Sequence, residues 1–164
     1  QSPASVAMVR AFGAAASPMG FGEVYTAIQQ GVIDGAENNE LALTNNKHGE
    51  VAKYFSYDMH QMVPDMLIGN LKFLQGLSEE ELQIFKDAAV LSTEVELTEW
   101  EKSVEAAKKT ASEDMGVTFI DVDVESFQKK VKALQNEMIR ENPKILLIYE
   151  QAQRANEQGT EVEQ

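Results

Sequence analysis

Residues 18 to 39 read PMGFGEVYTAIQQGVIDGAENN, and the parsing of the whole chain follows from how this stretch is punctuated. Gly20 to Gln30 has the spacing of a short helix, with Val24, Tyr25 and Ile28 on one face. Gly31 supplies the stop, because glycine enters the left-handed region without steric cost. Val32-Ile33 is an apolar couple, Asp34-Gly35 a turn, and Ala36-Glu37-Asn38-Asn39 a polar loop. Glu23 falls in the first helical turn, where the positive dipole end favours an acid. On the residues alone Asn38 is a turn residue, although its amide has one donor and one acceptor end for a ligand. Phe21 is either a staple ahead of the helix or an aromatic wall.

Working outward, Ser2-Pro3 is an N-cap followed by proline at the first helical position, and Gly13 ends that helix. Ala14 to Met19 is a small-residue stretch read as a short strand. Leu41 to Lys47 is one short helix. Val51 to His60 and Met62 to Phe73 carry β-branched, aromatic and alternating residues and are expected as strands, with Pro64 at an entry or edge.

The rest is helical apart from one strand. Ser78-Glu79-Glu80-Glu81 is a capping box. Leu82, Phe85 and Ala89 begin an apolar stripe that Trp100, Val104, Ala107 and Ala111 resume. Glu94, Glu96 and Glu99 interrupt it. An unbroken helix to Met115 would be roughly 57 Å long, more than one small domain spans, so it is expected to cross between two lobes. A break near Thr93 to Thr98 is the alternative. Val117 to Val122 alternates as a strand. Asp123 caps a helix with Val124, Phe127, Val131, Leu134 and Met138 inward. Asn142-Pro143 opens a last helix through Asn156, with Ile145, Ile148, Tyr149 and Ala152 inward, and residues 158–164 form a frayed acidic tail.

The bulk properties exclude several classes. The 164 residues are enough for one ordinary domain, and the net charge of −13, from 27 acids against 14 bases, repels phosphate backbones. Nucleic acid is therefore not an expected partner. No apolar run approaches the roughly 20 residues that span a bilayer, so the chain is not read as membrane-embedded. With no cysteine there is no disulfide, thiolate metal site or cysteine nucleophile. His48 and His60 are the only histidines and share no metal-binding spacing, and there is no nucleophile elbow or phosphate-binding glycine loop. No metal, no cofactor and no catalytic residue is expected; the chain is read as a binder, not an enzyme.

The stretch from Pro18 to Asn39 resembles the TRAP-type periplasmic solute-binding proteins, the DctP-like family, whose pattern is P-x-x-[FW]-x-E-x-Y-x-A-L-Q-x-G-x-V-D-G-Q-E-N-P. Lys53-Tyr54 to His60 and the L-S-E-E-E-L opening of the long helix follow in family order. Ala36 stands where the family has Gln, and Asn39 where it usually has Pro. The first change removes a polar contact; the second adds an amide that suits a ligand with more hydroxyls.

The resemblance implies an α/β chain, part of a two-lobed periplasmic-binding-protein fold of type II-like architecture. Residues 1–75 would form most of the second lobe's sheet and the ligand segment. Residues 76–164 would form the cross-lobe helix and the helical carboxyl-terminal part. The amino-terminal lobe would be absent, and with it the arginine that grips the ligand carboxylate, since Gln1 reads as a cut inside a longer protein. Arg10 is no substitute, because it lies in the helix after that strand.

By the same resemblance Asn38 is a ligand amide and Phe21 packs on the ligand. Glu37 either holds a local hydrogen bond or touches a ligand hydroxyl. Asn39 lies beside the site, Asp65 either faces the cleft or is solvated, and His60 is either a structural histidine or a contact. Asn70 is a further polar candidate, and Glu23 and Tyr25 are structural anchors. The implied function is periplasmic capture of a small organic acid, a sugar acid or C4-dicarboxylate, and its delivery to TRAP membrane permease subunits driven by an ion gradient. The rivals are a ligand sensor of the same fold and a helical structural or interaction protein built on Ser78 to Asn156.

Overall fold

The computed structural model describes the backbone of residues 2–162 and the side chains of residues 2–155; residues 1, 163 and 164, the last two in the expected tail, lie outside the described residues. In chain order the elements are α1 (Pro3–Phe12), a 3-10 turn (Phe21–Glu23), α2 (Val24–Gln29), α3 (Leu41–Asn45), α4 (His48–Val51), β1 (Tyr54–Tyr57), α5 (Leu71–Gln75), α6 (Glu79–Glu113), β2 (Thr118–Asp121), α7 (Val124–Glu141) and α8 (Pro143–Val162). They form two compact units, Gln1–Gly20 with Asp123–Gln164, and Phe21–Val122.

In the first unit the helix ends follow local chemistry. Ser2 Oγ accepts from the Ser5 N–H at 3.0 Å, and Gly13 closes α1 at φ 96°. The Asp123 carboxylate accepts from the Ser126 N–H at 3.3 Å, starting α7, and Asn142 Oδ1 accepts from the Lys144 N–H at 3.3 Å, starting α8. Phe12 meets Phe127 edge to face at 5.2 Å, joining α1 to α7. Lys132 on α7 donates to the Tyr149 hydroxyl of α8 at 2.7 Å and lies 5.1 Å over its ring. Ile145 and Tyr149 are half-buried as expected, whereas Ile148 and Ala152 are exposed. Ile148 stands about 100° round the helix from Tyr149, off the stripe that α7 covers. The helix also continues to Val162, past the expected end at Asn156, since no proline stops it.

The expected strand from Ala14 to Met19 does not form; residues 14–20 are irregular. Alanines and serines offer little surface to pack on a sheet, and Pro18 has no N–H to give to a ladder.

In the second unit β1 and β2 pair in parallel, with Tyr54 opposite Thr118 and Tyr57 opposite Asp121. Parallel pairing requires a crossover, which α5 and α6 provide. Leu43 of α3, Ala111 of α6 and Val117 form the core, with Phe55, Met115 and Phe119 packed on it. The small Ala107 and Ala111 are the buried positions of α6, and α3 packs on that helix. Tyr57 stacks on Phe119 at 5.9 Å. Its hydroxyl is buried, and Glu40 approaches without reaching hydrogen-bond geometry. Burial first, and then the Glu40 charge, pushes the phenol pKa up to about 12.

Two of the strand expectations change here. Of Val51 to His60 only Tyr54–Tyr57 is strand, and Val51 closes α4. Met62 to Phe73 contains no strand: residues 58–70 are irregular and α5 begins at Leu71. Among the described residues β1 and β2 pair only with each other, so this apolar run has no ladder partner. Asn70 Oδ1 instead accepts from the Phe73 N–H at 3.0 Å and caps α5. Asn70 is thus a helix cap, not a strand amide.

The capping box at Ser78 forms in both directions. Ser78 Oγ accepts from the Glu81 N–H at 3.3 Å, and Glu81 Oε2 accepts from the Ser78 N–H at 2.8 Å. Those hydrogen bonds hold the Glu81 carboxyl below its ordinary pKa. From there α6 runs unbroken for 35 residues, about 52 Å at ~1.5 Å per residue. The alternative break does not occur. Thr93 and Thr98 each donate to the carbonyl four residues back, Ala89 and Glu94, at 3.0 Å, so their hydroxyls are satisfied within the helix. No helix among the described residues is long and apolar enough to cross a membrane.

Candidate functional site

The 3-10 turn carries Phe21, a residue 42% exposed whose ring meets the His48 ring at 5.5 Å between centres, inclined at 65°. His48, at the start of α4, is buried, and burial lowers its pKa below the ordinary imidazole value. Behind the turn, α2 buries Val24 and Ala27. Tyr25 donates its hydroxyl to Glu50 Oε2 at 2.8 Å, tying α2 to α4 and raising the phenol pKa. Tyr25 is thus an anchor, as expected of it.

Gly31 then adopts φ 69°, and the Val32 and Ile33 N–H groups return to the Ala27 carbonyl at 2.8 and 3.3 Å. This closes α2 and directs the chain into the polar loop. Within the loop Asn38 Oδ1 accepts from the Asn39 N–H at 2.9 Å, and Asn39 Oδ1 accepts from the Leu41 N–H at 3.1 Å. The Asn39 carbonyl receives the Ala42 N–H at 3.2 Å. Asn39 therefore helps to start α3, a local role that the family's usual proline could not fill through its side chain. Asn38 is exposed, and its amide nitrogen makes no hydrogen bond to another described residue.

Glu37 and His60, 23 positions apart, come together. His60 Nε2 lies 3.5 Å from Glu37 Oε2, and its Nδ1 lies 2.6 Å from Asp58 Oδ1. Met59 between them has φ 50°, which folds Asp58 and His60 toward each other. The His60 side chain is 16% exposed, shielded between these two acids. Asp65 is exposed in the irregular stretch and makes no ion pair or hydrogen bond to another described residue. Asp58 and His48 were not singled out from the sequence as site residues. The Asp-Met-His spacing offers a signal only once the left-handed turn at Met59 is known. His48 offers none, since its contact with Phe21 depends on how α4 docks. No group of three or more His, Asp or Glu that could hold a metal ion occurs among the described residues.

Residues 1–142 match the family model for bacterial extracellular solute-binding proteins, family 7. A TRAP periplasmic solute-binding protein from Anaerococcus prevotii, solved with bound α/β-D-glucuronate, is 51% identical with a TM-score of 0.87, over 96% of this chain and 51% of that one. Another from Chromohalobacter salexigens, solved with D-glucuronate, is 33% identical with a TM-score of 0.88, over 94% of this chain and 51% of that one. The ectoine-binding periplasmic protein TeaA of Halomonas elongata is 30% identical over 135 residues, 79% of this chain and 39% of that protein. The chain thus spans about half the length of the relatives it matches.

Its fold is that of TRAP periplasmic binding proteins, a two-lobed, type II-like α/β fold of which it forms part. That family is one of transport solute-binding proteins and not of enzymes. With the family model matched over most of its length, this chain belongs to the bacterial extracellular solute-binding proteins of family 7.

Proposed function

We propose that the protein carrying this chain is the periplasmic receptor of a TRAP transporter, that it captures a hexuronate-like sugar acid, and that it delivers it to the membrane permease subunits. The observation that carries this reading is the 51% identity, over nearly the whole chain, to a solute-binding protein holding D-glucuronate. The exposed Phe21 and the Asn38 amide nitrogen, which makes no hydrogen bond among the described residues, belong to the same unit and are consistent with it.

In this reading Asn38 donates through its amide to a ligand oxygen, and Phe21 covers the carbon face of the sugar ring. A carboxylate loses hydration when enclosed, so charged donors must replace its water. Glu37 and Asp65 are the acceptors available to sugar hydroxyls, with Asn39 and His60 beside the loop. The long α6 braces the lobes as they close. No covalent chemistry is assigned to any residue.

The test is a thermal-shift panel on the full-length protein with D-glucuronate, D-galacturonate, succinate and ectoine. Stabilisation by the two hexuronates above the others is expected. A shift with succinate or ectoine alone would reject the sugar-acid assignment, and no shift with any acid would reject the receptor reading.

A further inference from the structure

Phe21 opens a short 3-10 turn. The turn is three residues long, and a side chain added at the neighbouring Gly22 would meet nothing within 4 Å. Its ring meets that of His48, edge to face at 5.5 Å and 65°. The two partners differ sharply in anchoring, since Phe21 is 42% exposed and His48 only 6%.

His48 stands on a fixed platform. The next residue, Gly49, is so tightly enclosed that an added Cβ would lie 2.6 Å from Met115 Sδ and 3.2 Å from the Leu43 carbonyl. Glu50, one further on, accepts the Tyr25 hydroxyl and pins α4 to the helix that follows Phe21. A ring meant to cover a sugar face must be ordered before binding, or the ligand meets the cost of ordering it.

We propose that His48 is the positioning residue of the acid-binding wall, its buried imidazole holding the exposed Phe21 ring in the orientation that packs against the carbon face of a hexuronate. His48 touches Phe21 and not the ligand, and its effect on affinity passes through that ring. Burial favours the neutral imidazole, which suits a role as a packing edge. The inference rests on the receptor function proposed above.

The experiment is calorimetric titration of the full-length protein with D-glucuronate, for wild type, Phe21→Leu, His48→Leu, His48→Phe and the double variant Phe21→Leu/His48→Leu, with melting temperatures measured alongside. His48→Leu is expected to weaken binding about three- to tenfold, the range of an aromatic pair, and His48→Phe to bring it back to within about twofold. The double variant should bind no more weakly than Phe21→Leu alone. Unchanged affinity in a folded His48→Leu protein, or losses that multiply in the double variant, would overturn the proposal. If the wild type binds no D-glucuronate while binding another acid, the ligand class fails and the His48 assignment fails with it.

Should the His48 variants not fold, proton NMR of the otherwise intact protein decides. Phe21→Leu should shift the His48 ring protons by removing a ring current, and D-glucuronate should shift them in the wild type. Resonances that respond to neither would overturn the proposal.

Discussion

Lys53 donates its ammonium to the backbone carbonyl of Met115 at 2.7 Å, joining residues 62 positions apart. The same ammonium donates to the Gly49 carbonyl at 2.8 Å. One cation thus links the last turn of α4 to the segment that leaves α6, just before β1 pairs with β2. Cations are favoured at helix ends where carbonyls lack partners.

Lys53→Met keeps the length of the side chain and removes both hydrogen bonds. Because Lys53 is exposed, solvent weakens its contribution, and the expected loss is about 1 kcal/mol in urea unfolding of the full-length protein. A variant as stable as wild type would mean that water replaces the ammonium at no cost.

Gly49→Ala tests the tightness of the same junction. The new methyl would meet Met115 Sδ at 2.6 Å, with the Leu43 carbonyl and Val117 Cγ2 each at 3.2 Å. Met115 can bend away, but the Leu43 oxygen is backbone and cannot do so freely. Overpacking should outweigh the helix gain of alanine and cost about 1–2 kcal/mol. Adding Met115→Ala should recover part of that loss, which a thermal melt of the double variant would reveal.

Acid should act on stability through His48. Its folded-state pKa is lowered by burial, so the unfolded chain binds the proton more readily. This contribution is fully present above the ordinary imidazole pKa of about 6.5 and is lost as pH falls below it toward the folded value. Urea unfolding from about pH 8 down to about pH 5 should show this decline, and His48→Phe should flatten it. An identical slope in the variant would place the acid sensitivity elsewhere.

What was legible in the sequence was mostly local. Ser2, Ser78 and Asp123 cap the helices read from them, and Gly13 and Gly31 both adopt the left-handed conformation expected of a stop. Each signal needs only the next few residues. The apolar run from Met62 failed because a strand is defined by its neighbour, and the sequence does not say whether one is present. There the cap at Asn70 and the helix-forming Leu71-Lys72 decided locally. In the site, the loop carrying Glu37 and Asn38 could be read from the glycines around it. The meetings of His60 with Glu37 and of Phe21 with His48 could not, since each joins residues more than 20 positions apart through packing.

Everything functional turns on whether an exposed loop amide reaches the guest. Calorimetric titration of the full-length protein with D-glucuronate, comparing wild type with Asn38→Ala, measures this directly. Loss of a hydrogen bond to a charged group should weaken affinity by about 1.5–3 kcal/mol, while loss of the exposed Asn38–Asn39 loop hydrogen bond should lower the melting temperature of the unliganded protein only slightly. Equal affinity in the two proteins would show that Asn38 serves only the loop and would contradict the account.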